Sequence, residues 1–336
     1  MNSLNPFVIT MGCPAGVGPE IIIKALASKP DWLNPAKIVV IGDLAVMERA
    51  QKICSSSLEI NKWKPGQPLK SGALNLLETT QLDLTQIPFG KPSKETGLAS
   101  YKYIVKAIEF CKKGLFSAIV TAPISKIGLK LANINYPGHT EILAEKSNAK
   151  EYGMMMAGPR LKVVLTTIHC PLSEVAGLIS KENIVKKLVL MNHSLHHDFG
   201  IKRPKIGVAG LNPHAGEQGT IGKEEQEIIY PAIQEAQAKG INCIGPYPPD
   251  TIFFHGSQGE YDAILCMYHD QGLIPFKLLH FWDGVNVTIG LPIIRTSVDH
   301  GTAYDIAGTG KANPASLIEA VNVASHMAKC RLGHQS

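Results

Sequence analysis

The sequence predicts an α/β protein of two interleaved lobes, on three observations. Short β-branched, apolar runs alternate with helical patterns along the chain, as parallel strands joined by crossover helices require. Several runs are apolar at every position, which marks strands covered on both faces. The chain has 336 residues, 45% of them hydrophobic, enough for two domains with a core each.

In order, the first strand is predicted over residues 7–11; glycines 12, 16 and 18 then lead to Pro19, a residue suited to a first helical turn, and a helix over 20–27. A strand over 37–41 and a helix over 45–52 repeat the unit. Residues 55–94 are rich in Pro, Gly, Lys and Ser with weak periodicity, a loop-rich excursion carrying a few short strands. A long apolar-periodic helix over 97–112 precedes a strand over 117–121 and a helix over 125–132. Strands over 162–168 and 205–211 flank a helix over 181–199. The helix over 223–239 ends on lysine with Gly240 just beyond, a common stop signal. Strands over 263–267 and 285–289 and a helix over 314–329 complete the pattern. Because the alternation never pauses for a linker, residues 1–125 with 296–336 are read as one lobe and 126–295 as the other.

Composition excludes several classes. A net charge of +5 suits anionic small molecules but comes without the concentrated basic runs of a nucleic-acid binder. No uncharged apolar run reaches about 18 residues, and no basic segment leads an apolar stretch at the start, so a cytoplasmic protein without membrane contact is expected. The seven cysteines are odd in number, widely spaced and lack a CxxC pair, which argues for reduced thiols and against a zinc ribbon.

Three predicted strands run into a histidine: His169, His214 and His269. In an open parallel sheet the carboxyl ends of strands line one rim, where ligands bind. Three imidazoles there make a neutral nitrogen site for a divalent ion, with positions left open for substrate. The alternative is that each histidine merely caps a strand or bonds a loop; recurrence at three strand ends, each followed by turn residues, favours a site. Asp270 either orients a neighbouring imidazole or caps the next turn. His193, His196 and His197 also share a helix face, but a helix C-terminus favours such side chains, and they are read as a solvated end. The first loop is GxxxGxG, not the dinucleotide fingerprint GxGxxG, and reads as a tight strand-to-helix turn in preference to a phosphate cradle. His139 and Thr140 open a helical pattern, where free N–H groups attract anions. Lys277, Asn286 and Arg295 stand in otherwise apolar segments, where a polar head either finds a partner or reaches water.

Together these segments resemble the 4-hydroxythreonine-4-phosphate dehydrogenase family of pyridoxal 5′-phosphate biosynthesis. The resemblance rests on residues 9–20 (ITMGCPAGVGPE), 136–141 (YPGHTE), 210–217 (GLNPHAGE), 245–248 (GPYP) with Asp250 and Thr251, 267–272 (MYHDQG) and 295–303 (RTSVDHGTA), and spans nearly the whole chain. It implies an isocitrate-dehydrogenase-like fold of two α/β/α lobes around a cleft, and NAD or NADP bound without GxGxxG. It also implies a homodimer whose active site draws residues from both chains. By the same resemblance His169, His214 and His269 are ligands of one divalent ion (Zn, Mg, Co or Mn), and His139, Thr140, Lys277, Asn286 and Arg295 contact the substrate. Cys13 departs from the pattern, which has an acid there.

The implied activity is oxidation of the 3-hydroxyl of 4-phosphooxy-L-threonine, a small phosphorylated hydroxy amino acid, to 2-amino-3-oxo-4-phosphooxybutanoate. That acid decarboxylates to 3-amino-2-oxopropyl phosphate. Lys277 and Asp270 are the candidate catalytic side chains. Lys277 serves as a base or pairs with phosphate, and pairing is favoured because its only evident perturbation would come from an anion. Sister enzymes acting on 4-phospho-threonate or 4-phospho-erythronate share these residues. A non-redox metal-dependent hydrolase or aldolase would also use three histidines, whereas a binding protein for a phosphorylated metabolite would need only the anion groups.

Overall fold

The structure is a computed structural model that describes residues 4–28 and 37–334. The chain begins β1 (Phe7–Thr10), α1 (Gly18–Ala27), β2 (Ile38–Asp43), α2 (Leu44–Ile53), β3 (Ile60–Lys62), β4 (Leu74–Thr80) and α3 (Lys94–Lys112). It continues β5 (Ala118–Thr121), α4 (Lys126–Leu131), α5 (His139–Ser147), β6 (Gly153–Ala157), β7 (Lys162–Leu165), α6 (Leu172–Leu178), α7 (Lys181–His197) and β8 (Ile206–Ala209). After a 3-10 segment (Pro213–Gly219) and a π-helical turn (Glu225–Ile229) come α8 (Tyr230–Ala238), β9 (Cys243–Tyr247), α9 (Pro249–Ser257), β10 (Ala263–Cys266) and α10 (His269–Leu279). The last elements are β11 (Val285–Ile289), β12 (Arg295–Val298) and α11 (Ala315–Gly333).

Two compact units result: Met1–Lys150 with Leu291–Ala328, and Glu151–Gly290 with Lys329–Ser336. The sequence places the divisions at 125/126 and 295/296. Residues 126–150 stay with the first unit because α4 and α5 both pack on α3. That packing is close: a Cβ on Gly97 of α3 would overlap the Gly128 carbonyl of α4, so glycine is required at the crossing. The end of α11, from Lys329 on, belongs to the second unit.

In the first unit the strand order is β3-β4-β2-β1-β5-β12, with every pairing parallel. β1 and β5 are buried at every residue, as their uninterrupted apolar runs anticipate. The N–H groups of Cys13, Gly16 and Val17 bond the carbonyls of Pro123, Cys13 and Thr302, so the first glycine-rich loop is a tight turn whose donors are taken up internally.

In the second unit the order is β11-β6-β7-β10-β8-β9. Here the all-parallel expectation is corrected, because β6 runs antiparallel to both β7 and β11. Residues 158–161 join β6 to β7, and a connection that short permits only a hairpin, since a parallel crossover needs a dozen residues or more. The single helix expected over 223–239 is instead a π-turn followed by α8, and Pro231, lacking an N–H, stands where an unbroken α-ladder would need a donor. No described helix is long and apolar enough to cross a membrane.

Candidate active site

Strand order decides the neighbourhood of the three histidines. β7, β10 and β8 are adjacent and parallel, so His169, His269 and His214 all follow the carboxyl ends of neighbouring strands. Hydrogen bonds beyond the sheet fasten these ends together. Thr167 donates both its N–H (3.2 Å) and its hydroxyl (2.8 Å) to the Met267 carbonyl. Buried Gln271 accepts from Met267 N at 2.7 Å and donates to the Gly210 carbonyl at 2.7 Å, tying β10 to β8.

His169 and His269 come together, their ring centroids 5.6 Å apart. The Nδ1 of His269 lies 2.7 Å from Asp270 Oδ1. The carboxylate therefore orients the adjacent imidazole and leaves Nε2 for an ion. His214 does not join them: it is exposed on the turn after β8, where residues 214–218 all have φ between 41° and 76°. Among the described residues no three His, Cys, Asp or Glu side chains of one chain are gathered to hold a metal ion. The donor chemistry, three imidazoles with one carboxylate-oriented ring, nevertheless suits a borderline divalent cation. Lys277 lies on α10 with its Nζ 5.8 Å from the Phe281 ring centroid, and Asn286 pairs with Met156 across β11 and β6.

The first unit holds an anion-suited pocket of side chains. Arg295 begins β12, is 3% exposed, and directs Nε (3.2 Å) and Nη2 (2.8 Å) at the Thr121 hydroxyl. Burial pulls its pKa down to about 9, with Glu141 opposing the shift. His139 and Thr140 start α5, behind the Gly138 cap. His139 is only partly covered as a residue, but its Nε2 is enclosed without a hydrogen-bond partner among the described residues. Burial first, and the Arg295 charge second, hold its pKa well below the usual imidazole value. A buried cation, a neutral imidazole with an enclosed nitrogen and the donor-rich start of a helix together suit an anion.

Three roles escaped the sequence reading. Thr121 ends a predicted strand and Gln271 sits inside the 267–272 string, but nothing in their spacing marks them as holding a guanidinium or two strand ends. Glu225 is 3% exposed and accepts the Leu211 and Asn212 N–H groups at 2.7 Å each. Its one sequence signal is the acidic pair at 224–225 after a glycine-rich turn. Cys13, buried among Ala15 and Ile87, has Sγ 3.3 Å from the Tyr304 hydroxyl, and burial pushes its thiol pKa up.

The histidines ending α7 gain a fourth ring, His334, the residue just past α11. Centroids lie 4.4 Å apart for His193–His197, 5.1 Å for His196–His197, and 5.0 and 4.9 Å from His334 to His196 and His197. Burial and then the neighbouring imidazoles lower the His197 pKa. A folded pKa below the unfolded one means stability present above the unfolded value and lost as pH falls past about 6.5. Replacing His193, His196 and His197 with glutamine is expected to leave turnover within a few-fold and to shrink the fall in Tm between about pH 7.5 and pH 5.5. Thermal scans at both pH values, beside turnover, check it; a turnover loss like that of His169→Ala would place this cluster in the catalytic machinery.

The model of the pyridoxal phosphate biosynthetic protein PdxA family matches residues 34–324. The chain belongs to this family. It is 47% identical over 319 residues to a 4-hydroxythreonine-4-phosphate dehydrogenase of Desulforapulum autotrophicum, covering 94% of each chain. It is 42% identical over 323 residues to a D-threonate 4-phosphate dehydrogenase of Salmonella typhimurium, covering 95% of this chain and 98% of that one. Among solved structures, a 4-hydroxythreonine-4-phosphate dehydrogenase of Klebsiella pneumoniae superposes with a TM-score of 0.88 at 39% identity, covering 96% of this chain and 99% of that one. A β-decarboxylating dehydrogenase of Thermococcus kodakarensis, 13% identical with a TM-score of 0.50 over 98% of this chain and 84% of that one, shares the fold alone. The PdxA family thus accounts for the α/β architecture expected of this sequence.

Proposed function

We propose that this PdxA-family chain is a cytoplasmic 4-hydroxythreonine-4-phosphate dehydrogenase. It oxidises the 3-hydroxyl of 4-phosphooxy-L-threonine with NAD or NADP, and the 3-oxo acid then loses CO2 to leave 3-amino-2-oxopropyl phosphate. The observation that carries the reading is the buried Arg295 beside the enclosed His139 Nε2 at the start of α5, a setting made for a phosphate. Arg295 neutralises the phosphate, Thr140 and the first-turn N–H groups of α5 donate hydrogen bonds to its oxygens, and His139, kept neutral, offers a ring N–H. Asn286 contacts the substrate's polar groups and Lys277 pairs with its charge, with service as a proton acceptor the alternative role.

His169, His214 and His269 are the residues that would hold a divalent ion, one of Zn, Mg, Co or Mn. When bound, such an ion would lower the pKa of a coordinated hydroxyl toward neutrality, as zinc does for water. Asp270 holds the His269 ring in the orientation this requires. The working unit is proposed to be a homodimer with ligands and substrate contacts drawn from both copies, which asks no single chain to gather all three imidazoles.

The apolar face of α10 supports that assembly. Ile274 and Leu278 are 67% and 85% exposed, and Phe281 and Trp282 just beyond are 63% and 62% exposed, at i, i+4, i+7 and i+8. Large apolar side chains exposed together on one short stretch of chain suit a protein interface, and a second copy presenting the same stretch would cover them. Leu278→Asp is expected to shift the protein from dimer to monomer in analytical ultracentrifugation at micromolar concentration; an unchanged dimer would move the interface elsewhere.

The activity is tested by following reduced nicotinamide absorbance with 4-phosphooxy-L-threonine and, separately, D-threonate 4-phosphate. A higher kcat/KM on the amino acid supports the proposal. The second substrate is favoured if the likeness to the Salmonella enzyme is the functional one, and no reduction of nicotinamide with either points to a non-redox enzyme.

A further inference from the structure

We propose that Glu225 is a positioning residue that holds the His214 turn in its metal-binding conformation; the inference rests on the reading of His214 as a ligand. His214, Ala215, Gly216, Glu217 and Gln218 have φ values of 53°, 53°, 76°, 41° and 56°, five successive left-handed residues of which one is glycine. L-residues disfavour that region, and it is visited routinely as single residues, not runs. Backbone bonds of the 3-10 kind run along the turn, Ala215 N to Asn212 O and Thr220 N to Glu217 O among them, and Ile221 N to Gly216 O closes its end, but 3-10 bonds have poorer geometry than those of an α-helix. A contact from outside the turn can offset the cost of that left-handed run.

Glu225 supplies one. Its Oε1 accepts from Leu211 N and Asn212 N at 2.7 Å each, and its Oε2 accepts from Asn212 Nδ2 at 2.9 Å. Glu224 Oε2 takes the same amide nitrogen at 2.8 Å, so Asn212 is gripped from two sides just ahead of Pro213 and His214. The chain closes around the carboxylate: a Cβ on Gly216 would stand 2.5 Å from Oε2, and one on Gly210 would stand 3.1 Å from Oε1. A side chain at 216 would press on that carboxylate at a φ of 76°, so glycine there lets the turn close around the acid. Glu225 opens the π-helical turn, a helix defect found often at functional sites. Because Gln271 also binds the Gly210 carbonyl, the turn is anchored at its start to the His269 strand end and along its length to Glu225. Glu225 itself reaches neither ion nor substrate; it acts through His214.

The test measures Co2+ affinity by competition with a chromophoric chelator for the native chain, E225Q, G216A and H214A, alongside thermal midpoints and amide exchange of residues 211–218 without metal. E225Q keeps the shape of the side chain but loses an acceptor, and G216A keeps the carboxylate but forces the turn off it, so either one reports if the other does not fold. Both are expected to bind Co2+ about 10- to 100-fold more weakly, the range for residues that orient a ligand. Exchange of 211–218 should quicken in E225Q, and saturating Co2+ should restore its kcat but not that of H214A. Native affinity in a folded E225Q or G216A, while H214A loses the ion, would overturn the role of Glu225 and leave the ligand reading standing. Native affinity in H214A would remove the ligand reading and this inference with it.

Discussion

Alanine at His169, His214 or His269 is expected to abolish turnover, with at least about a hundredfold loss in kcat for each and bound metal falling in parallel. A site reduced to two imidazoles holds a divalent ion far more weakly than one with three, because each ligand removed leaves a position to water. The three variants should fold, since all three positions lie past strand ends and His169 and His214 are exposed. Elemental analysis of the purified variants, compared with turnover at saturating substrate, reads both effects. One variant with full metal content and near-native turnover would take its histidine out of the ligand set.

The second large effect concerns Arg295. Arg295→Met keeps most of the buried volume of the side chain but removes the charge that His139 and the start of α5 face. A charge-assisted hydrogen bond is worth roughly 1.5 to 3 kcal/mol, so kcat/KM on the phosphorylated substrate should fall about 10- to 150-fold with metal content unchanged. The dephosphorylated substrate, already poor with the native protein, should suffer little further, because the group that Arg295 meets is gone. Equal losses on both substrates would move Arg295 to the carboxylate or to a structural role.

How legible these features were depended on their range. Every predicted strand and helix has an observed counterpart, since each rests on local periodicity: the apolar run at 7–11, the amphipathic pattern at 97–112, the lysine and glycine closing the helix at 239–240. The elements missed are short or locally ambiguous. β12 opens with Arg, Thr and Ser, β9 contains Gly and Pro, and α10 carries Pro275 and Gly272, all of which read as loop until packing overrides propensity. The strand-end histidines, the helix start at His139 and the isolated cations at 277 and 295 were visible as residues out of place in apolar surroundings. Their partners were not.

By itself the sequence determined the α/β class, the elements with a strong local period, the family resemblance and the residue types at the site, because these follow from local pattern and from strings of adjacent residues. Tertiary structure alone decided that β7, β10 and β8 are neighbours, that β6 reverses, that Thr121 meets Arg295 across 174 positions and that Glu225 templates the His214 turn. The physical reason is one of distance along the chain. Local conformation depends on side chains a few residues apart, whereas a hydrogen bond or a buried charge is stabilised by whatever group packing delivers, and no spacing in the sequence encodes which group that will be.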